Sequence, residues 1–414
     1  MTDFRDQKRY DAHQEAMRNS RRAKQRASAR GQQRRRRMVA VAILLLPVAV
    51  AAFAFTWSRS NPAPKKAKPV SATSTTPRQS AAEQAVGGRV AMPEHIRGVH
   101  ATSYAVATPS LFEPIMALAD PKVGMNAIQI DVKDERGELA FSTPIPLAKK
   151  SGAEQNVYDP IKVLRRAHDA GLYTIARIVT FQDGYAPQAD PSVALHTPNG
   201  GLWKNNLGIT WLDPTNEKAW DYPIQVAQYA AELGFDEIMF DYVRYPTDGD
   251  ATKMAFKDPG RPRQDTITSF LKKASAKLKP LGVHVSAAFF GLAATADLGI
   301  GQWPGKLRNT LDAVYPMIYP SHFTDGQFGI DKPGDTPGPT IAAAMSDWRR
   351  KTNGGTMQIR PWLQDFTLGG IPYGAREVKE QIAAADRTGG GGWLLWNAQC
   401  LYSAGVFEGT NGQP

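Results

Sequence analysis

From residue 96 onward the chain alternates short apolar runs with longer amphipathic stretches. Eight apolar runs have the length and the β-branched or aromatic content of strands. The predicted strands are 96–104, 126–134, 172–181, 237–246, 283–291, 312–320, 358–366 and 391–398. Helical patterns lie between most of them, over 159–171, 216–234, 265–282 and 376–389, and each of these four ends at a glycine.

Eight strands that alternate with helices over about 310 residues predict a (β/α)8 TIM barrel. A doubly wound open sheet is the alternative arrangement of such units. The first strand, however, is not followed by the glycine-rich turn of a dinucleotide-binding fold. The glycine-rich segment 388–392 precedes the last strand and is interpreted as a tight turn into it.

The pattern before residue 94 is different. Residues 38–57 carry no charge, and a helix of this length spans roughly 30 Å, the thickness of a bilayer core. The four arginines at 34–37 precede this segment, so the positive-inside rule places residues 1–37 in the cytoplasm and the barrel, 94–414, outside it. Residues 58–93, rich in Pro, Ala, Ser and Thr, predict a disordered linker. A cleaved signal peptide is the alternative, but the leader is long and no clean cleavage site follows.

The net charge of +11 is unevenly distributed. Residues 1–37 hold thirteen Lys and Arg against four Asp and Glu, which leaves only +2 for the other 377 residues. We therefore interpret the basic arm as a topology signal and expect no nucleic-acid partner. Binding of nucleic acid by the arm would be strongly salt-sensitive.

The sequence predicts neither a cofactor nor a catalytic metal. There is no P-loop, GxSxG or HExxH motif, and His100, His284 and His322 do not share a metal-ligand spacing. Calcium bound by loops such as 247–250 stays open as an alternative. The single cysteine, Cys400, excludes an internal disulfide framework and is expected to be a small buried residue.

Three carboxylates are expected at one mouth of the barrel. Active groups of TIM barrels lie at the C-terminal ends of the strands, where Asp131, Asp241 and Asp365 fall. Glycosidic cleavage requires a pair of carboxyl groups, so these residues are the candidate catalytic groups. Arg244 and Lys133 are expected to hold one of them ionised.

Aromatic and amide side chains near the same strand ends suit a sugar ligand, because pyranose rings combine apolar faces with hydroxyl groups. Aromatic residues belong to the core by default, and an acid such as Asp134 or Asp236 is more often a cap or an ion-pair partner. The candidate substrate-binding residues are Arg244, Lys133, Tyr245, Tyr319, His322, Trp362, Gln364, Trp396 and Asn397.

Five blocks of sequence resemble one family. The blocks are "GFDEIMFDYVRYP" (234–246), "DLGIGQ" (297–302), "PMIYPSHF" (316–323), "RPWLQDF" (360–366) and "GGWLLWNA" (391–398). Over residues 98–402 the chain resembles the family named "putative glycoside hydrolase domain" of bacterial barrel proteins. The resemblance implies a TIM-barrel glycosidase-like fold and kinship with hydrolases that act on bacterial envelope glycans.

The resemblance extends to the broader alpha-amylase-type barrels, in which the strand-four Asp is the nucleophile and an Asp after strand seven assists. Asp241 and Asp365 occupy those places. Strand five of such enzymes carries a Glu as general acid, whereas this strand has Ala287 and Ala288. Asp297 or Asp131 would then have to serve.

Two functions are consistent with these features. The first is a membrane-anchored, extracytoplasmic glycoside hydrolase that cleaves a cell-wall or capsular polysaccharide, with Asp241 as nucleophile or base and Asp131 or Asp365 as acid. The second is a catalytically inactive barrel that binds glycans and scaffolds the cell envelope, which the missing strand-five acid favours. The distance between the carboxyl groups separates the two.

Overall fold

The structure, a computed structural model, describes residues 86–408. The predicted arm, the predicted membrane anchor and most of the predicted linker lie outside this range. Within it, no helix is both long enough and apolar enough to span a bilayer.

Parallel strands form a closed barrel with eight staves. The strands are β1 (Ile96–Ala101), β2 (Ala127–Lys133), β3 (Tyr173–Val179), β4 (Glu237–Asp241), β5 (His284–Phe290), β6 (Ala313–Ile318), β7 (Gln358–Ile359), β8 (Trp362–Gln364) and β9 (Gly392–Trp396). The barrel closes because β1 pairs with both β2 and β9, and β5 pairs with β6. β7 and β8 are two parts of the seventh stave, interrupted at Pro361, which has no N–H to donate. The predicted (β/α)8 barrel is confirmed.

Helices connect the strands on the outside of the barrel. They are α1 (Ser103–Ala107), α2 (Pro109–Ala117), α3 (Pro146–Ser151), α4 (Pro160–Asp169), α5 (Ala186–Ala189), α6 (Glu217–Leu233), α7 (Arg263–Leu278), α8 (Pro337–Thr352) and α9 (Ala375–Arg387). The four helices predicted from the sequence correspond to α4, α6, α7 and α9. Local signals set their ends: the Asp159 side chain caps α4, and Gly234, with φ 106°, ends α6.

The two faces of β2 separate the barrel interior from the helical layer. Ile128, Ile130 and Val132 belong to the large core between strands and helices, while Gln129 and Asp131 face the interior. A bulge between Asp131 and Lys133 then breaks the alternation, so that Lys133 lies beside Ile178, an outward-facing residue of β3. Strict alternation would place Lys133 on the inward face with Asp131, and the bulge removes it from that face.

The lower end of the barrel is closed by a buried polar cluster. The Glu237 carboxylate accepts hydrogen bonds from Ser286, Tyr173, Tyr315 and Arg360, the last at 2.8 Å. Both carboxylate oxygens are satisfied, and the cluster lies at the N-terminal ends of the strands. Polar residues at that end of a TIM barrel serve stability rather than catalysis.

Candidate active site

Arg177 gathers three carboxylates at the upper mouth of the barrel. Its Nη1 donates to Asp131 Oδ1 at 2.8 Å, and its Nε and Nη2 donate to Asp241 Oδ2 at 2.9 and 2.7 Å. Nη2 also donates to Glu135 Oε1 at 2.5 Å. We call Arg177, Asp131, Glu135 and Asp241 the Arg177 cluster. Asp131 lies two residues before the end of β2 and Asp241 ends β4, so β3 between them supplies the cation to both.

The shared guanidinium limits the distances between the carboxyl groups. Glu135 Oε1 and Asp241 Oδ2 bond to the same nitrogen, so these two oxygens lie at most about 5 Å apart. Asp131 Oδ1 and Asp241 Oδ2 bond to different nitrogens of one planar group, so they lie at most about 8 Å apart. Neither upper limit exceeds the widest spacing that glycosidases use, about 9.5 Å.

The charges of the cluster do not balance, because three carboxylates share one guanidinium. Burial alone would raise the pKa of Asp131, but Arg177 and His100 outweigh it and lower that pKa. Burial raises the pKa of Asp241, and the opposing effects of Arg177 and of the Tyr242 amide do not cancel the rise. Asp131 and Asp241 therefore ionise at different pH values.

A sharp turn after β4 orients Asp241. Tyr242 has φ 48°, a left-handed conformation that is rare for an aromatic residue, and its amide donates to Asp241 Oδ1 at 2.7 Å. The predicted strand 237–246 consequently ends at Asp241. Strained backbone of this kind is concentrated at functional sites.

A tight turn after β2 positions Glu135. The Asp134 side chain accepts hydrogen bonds from the amides of Arg136 and Glu138, both at 2.9 Å. Gly137 has φ 91°, and a Cβ there would meet Asp183 Oδ1 at 2.7 Å, so the turn requires glycine. Asp134 thus has the structural role expected of it. Glu135 is held at the mouth but keeps 24% of its side chain exposed.

Stacked rings line the interior wall next to the cluster. The Trp396 ring lies between His100 and Trp362, with centroid separations of 3.9 and 4.7 Å. The Arg177 guanidinium lies 5.1 Å from the Trp396 ring centroid, and His100 Nε2 is 2.9 Å from Asp131 Oδ1. Trp396 and Trp362, both predicted from the sequence as substrate-binding residues, therefore lie beside the carboxylates.

Two basic residues selected from the sequence do not pair with the candidate acids. Lys133 binds Asp183 at 2.9 Å and donates to the Val179 carbonyl oxygen, and its side chain is fully buried. Arg244 donates to the Tyr245 carbonyl oxygen and Thr247 Oγ1, both at 3.1 Å. Instead of Asp241, aromatic rings surround the Arg244 guanidinium: those of Tyr242, Phe290 and Trp211, with centroids at 4.7, 4.9 and 5.4 Å. The cation that holds the acids is Arg177.

Asp365 is not part of the Arg177 cluster. Its Oδ1 accepts from Ser403 Oγ at 2.7 Å and its Oδ2 from the Ser403 amide at 2.8 Å. Asn397 donates to the carbonyl oxygens of Asp365 and Leu401. Both side chains therefore attach the segment after β9 to the end of β8, and burial raises the pKa of Asp365. Asp365 follows the end of β8 at the same mouth, but of the three candidate acids only Asp131 and Asp241 bind Arg177.

The remaining selected residues divide into two groups. Gln364 is engaged with Ser321 and the Phe366 carbonyl oxygen, and Tyr245 packs against Phe256 with a ring separation of 5.1 Å. By contrast, several buried polar atoms near the cluster have no hydrogen-bond partner within residues 86–408. They are the Tyr319 hydroxyl, Trp362 Nε1 and both ring nitrogens of His322. Burial lowers the pKa of His322 to about 4, so its ring is neutral at physiological pH.

The described residues contain no cluster of three or more His, Cys, Asp or Glu side chains arranged to hold a metal ion. Cys400 is buried, as expected, and burial raises the pKa of its thiol to about 11.

Arg177, Glu135 and His100 were not among the site residues predicted from the sequence. A signal for Arg177 was present, since it interrupts the apolar run "YTIARIV" on the face of Tyr173 and Ile175.

Comparison with known families indicates the same class of protein as the geometry of the site. The family model described as "Putative glycosyl hydrolase domain" matches residues 98–402. The chain belongs to this family. The expected resemblance is confirmed, and the match covers every strand of the glycosyl hydrolase barrel except the first two residues of β1.

Solved structures also resemble this glycosyl hydrolase barrel. One is a hypothetical protein from Ruminiclostridium thermocellum ATCC 27405, which is 35% identical; the match covers 46% of this chain and 96% of that one, with a TM-score of 0.43. Another is the PgaB (BpsB) glycoside hydrolase domain from Bordetella bronchiseptica, 12% identical, which covers 73% of this chain and 94% of that one with a TM-score of 0.53. The second likeness concerns the fold alone. Comparison with curated protein sequences gives no significant match.

Proposed function

We propose that this protein is a glycoside hydrolase that cleaves glycosidic bonds of a cell-envelope polysaccharide by a two-carboxylate mechanism. The observation that carries the proposal is the Arg177 cluster, in which Asp131 and Asp241 share one guanidinium at the mouth of a glycosyl hydrolase barrel. A pair of carboxyl groups more than about 10 Å apart would not support such a mechanism. The bonded oxygens of Asp131 and Asp241 lie at most about 8 Å apart, which is within that limit.

Asp241 is the nucleophile or base in this proposal. Its Oδ2 is occupied by two N–H groups of Arg177. Among residues 86–408 its Oδ1 accepts only the Tyr242 amide and keeps a lone pair for the reaction. Asp131, ionised by Arg177 and His100, stabilises the positive charge that develops on the sugar ring in the transition state.

The sugar would lie against the aromatic wall of the mouth. The stack of His100, Trp396 and Trp362 forms this apolar wall, and the hydroxyl group of Tyr319 and the neutral ring of His322 offer hydrogen-bonding atoms that have no partner within residues 86–408. Buried polar groups in native proteins are normally paired, so several unpaired atoms in one place suggest a ligand.

A catalytically inactive glycan-binding barrel is the second candidate. The observation in its favour is the low exposure of the acid pair, 4% for the Asp131 side chain and 3% for Asp241, together with the alanines on β5. Such a barrel would bind envelope glycans without shortening them.

Product analysis decides between the two. The full-length protein is incubated with purified wall and capsular glycans, and new reducing ends are measured by mass spectrometry of the soluble fragments. Fragments released by the wild type support the hydrolase, whereas retention of the protein on an intact glycan in a pull-down supports the binding barrel.

The acidic side of the pH profile should report Asp241. A raised carboxyl pKa means that the inactive, protonated form accumulates at a higher pH than usual. We expect kcat/KM to fall as the pH decreases, with a midpoint above about 3.9, the ordinary value of an aspartate. A midpoint at or below that value would contradict the role of Asp241.

The location of the barrel is a separate proposal, namely that residues 38–57 anchor it outside the cytoplasmic membrane with residues 1–37 inside. Alkaline phosphatase is active only after export. A fusion after residue 93 should therefore be active, and a fusion after residue 37 inactive. The opposite pattern, or release of the exported fusion from the membrane, would contradict an uncleaved anchor.

A further inference from the structure

Neither acid favoured from the sequence suits the role of proton donor. The Asp131 side chain is only 4% exposed and its Oδ1 is within hydrogen-bonding distance of both Arg177 and His100, and both oxygens of Asp365 are bonded to Ser403. Asp297, the other candidate, is exposed and bonds to Gln264 and to the Gly299 amide. The hydrolase proposed above therefore needs another acid.

We propose that Glu135 is the general acid and base of this hydrolase, paired with Asp241 as the nucleophile; the inference rests on the proposed function. Glu135 Oε1 and Asp241 Oδ2 lie at most about 5 Å apart, the spacing of a retaining glycosidase rather than of an inverting one. Glu135 is also the most exposed member of the Arg177 cluster, with 24% of its side chain accessible. It can therefore reach a leaving group at the solvent side of the mouth.

The loop around Glu135 is built to hold it in place. The turn formed by Asp134 fixes the backbone, and the Glu135 carbonyl oxygen accepts a hydrogen bond from Gln182 Nε2 at 2.6 Å. A general acid must be positioned to within hydrogen-bonding reach of the leaving oxygen, which a fixed loop allows.

The reaction would proceed in two steps. First, Asp241 Oδ1 attacks the anomeric carbon, the glycosidic bond breaks with its electron pair passing to the leaving oxygen, and Glu135 gives its proton to that oxygen. Second, the Glu135 carboxylate takes a proton from water, whose oxygen attacks the anomeric carbon and displaces Asp241. Water is the only co-reactant, and the anomeric configuration is retained.

Several charged and titratable groups face Glu135. Arg177 contacts it directly, and Asp134, Asp241 and the Tyr242 hydroxyl interact with its charge. Asp131 adds a further negative charge through the shared guanidinium. The experiment must therefore separate proton donation by Glu135 from a mere effect on these neighbours.

Glu135→Gln in the full-length protein tests the proposal with two substrates, a glycan that the wild type cleaves and the 2,4-dinitrophenyl glycoside of the sugar that it releases. We expect kcat/KM on the glycan to fall by about 10²–10⁴-fold, since general acid catalysis contributes that much. On the dinitrophenyl glycoside, whose leaving group needs no proton, we expect the burst of dinitrophenol to be nearly unchanged. The decline of glycan cleavage at high pH should also disappear.

Glu138→Gln is the matched control. Glu138 lies on the same loop and loses the same charge, but it binds the hydroxyl groups of Tyr104 and Tyr185 instead of Arg177. It should keep wild-type kinetics and its high-pH decline, and thermal unfolding should show that both variants are folded.

The outcomes are distinct. Equal losses of Glu135→Gln on both substrates, an unchanged rate on the glycan, or inversion of the first product seen by proton NMR would overturn the assignment of Glu135 while the hydrolase proposal stands. A wild type that cleaves no glycan would overturn the proposed function, and the role of Glu135 with it.

Discussion

Asp241→Asn should lower kcat/KM on the glycan substrate by about 10²–10⁴-fold and leave the protein folded. The amide has almost the same shape and still accepts the Tyr242 N–H, but it is neither a nucleophile nor a base. Arg177 keeps Asp131 and Glu135 as partners, so the guanidinium is not left as an unpaired buried charge. Steady-state kinetics and thermal unfolding of the variant measure the two effects separately.

Asp365→Asn is the matched control for Asp241→Asn. It makes the same chemical change at another buried carboxyl group of the barrel mouth, but one that is bonded to Ser403 and not to Arg177. Its kcat/KM should stay within a few-fold of the wild-type value. If Asp241→Asn retains full turnover, Asp241 has no part in the mechanism, and if only Asp365→Asn is inactive, Asp365 takes that part.

The second large effect concerns stability. Lys133→Met should lower the free energy of unfolding by about 3–5 kcal/mol, because it leaves the carboxylate of Asp183 buried without its cation. Both side chains of this ion pair are fully buried, and Asp183 Oδ1 also accepts the amides of Tyr185 and Ala186 at the start of α5. Urea unfolding of the purified variant measures the loss.

A second variant tests the cause of that loss. Lys133→Met combined with Asp183→Asn removes both charges and keeps an acceptor for the two amides, so most of the lost stability should return. If Lys133→Met is as stable as the wild type but binds glycan more weakly, Lys133 is a ligand-binding residue, as its sequence position suggested, and not a structural one.

Much of the mouth was predictable because strands alternate with a period of two. In β2 the inward positions of Gln129 and Asp131 follow from that period, and in β4 the same period places Asp241 on the inward face, opposite to Ile238 and Phe240. The prediction failed for Lys133, since a single bulge reverses the alternation and no residue type in "IDVKD" announces it. The alternation of side chains could not predict Glu135, because this residue lies in a turn, where side chains do not alternate between two faces.

The amino-acid sequence by itself determined the barrel, the order of its strands, and the inward positions of Asp131 and Asp241 toward the C-terminal ends of β2 and β4. These features depend on local periodicity and on the rule that parallel strands point the same way. Only the tertiary structure decided which charges meet. Arg177 binds acids that are 42, 46 and 64 residues away along the chain, and it does so because the closed barrel brings β2, β3 and β4 side by side. A buried charge pairs with the group that the fold places beside it. Lys133 and Arg244 are nearer to Asp131 and Asp241 along the chain than Arg177 is, but their side chains bind other groups.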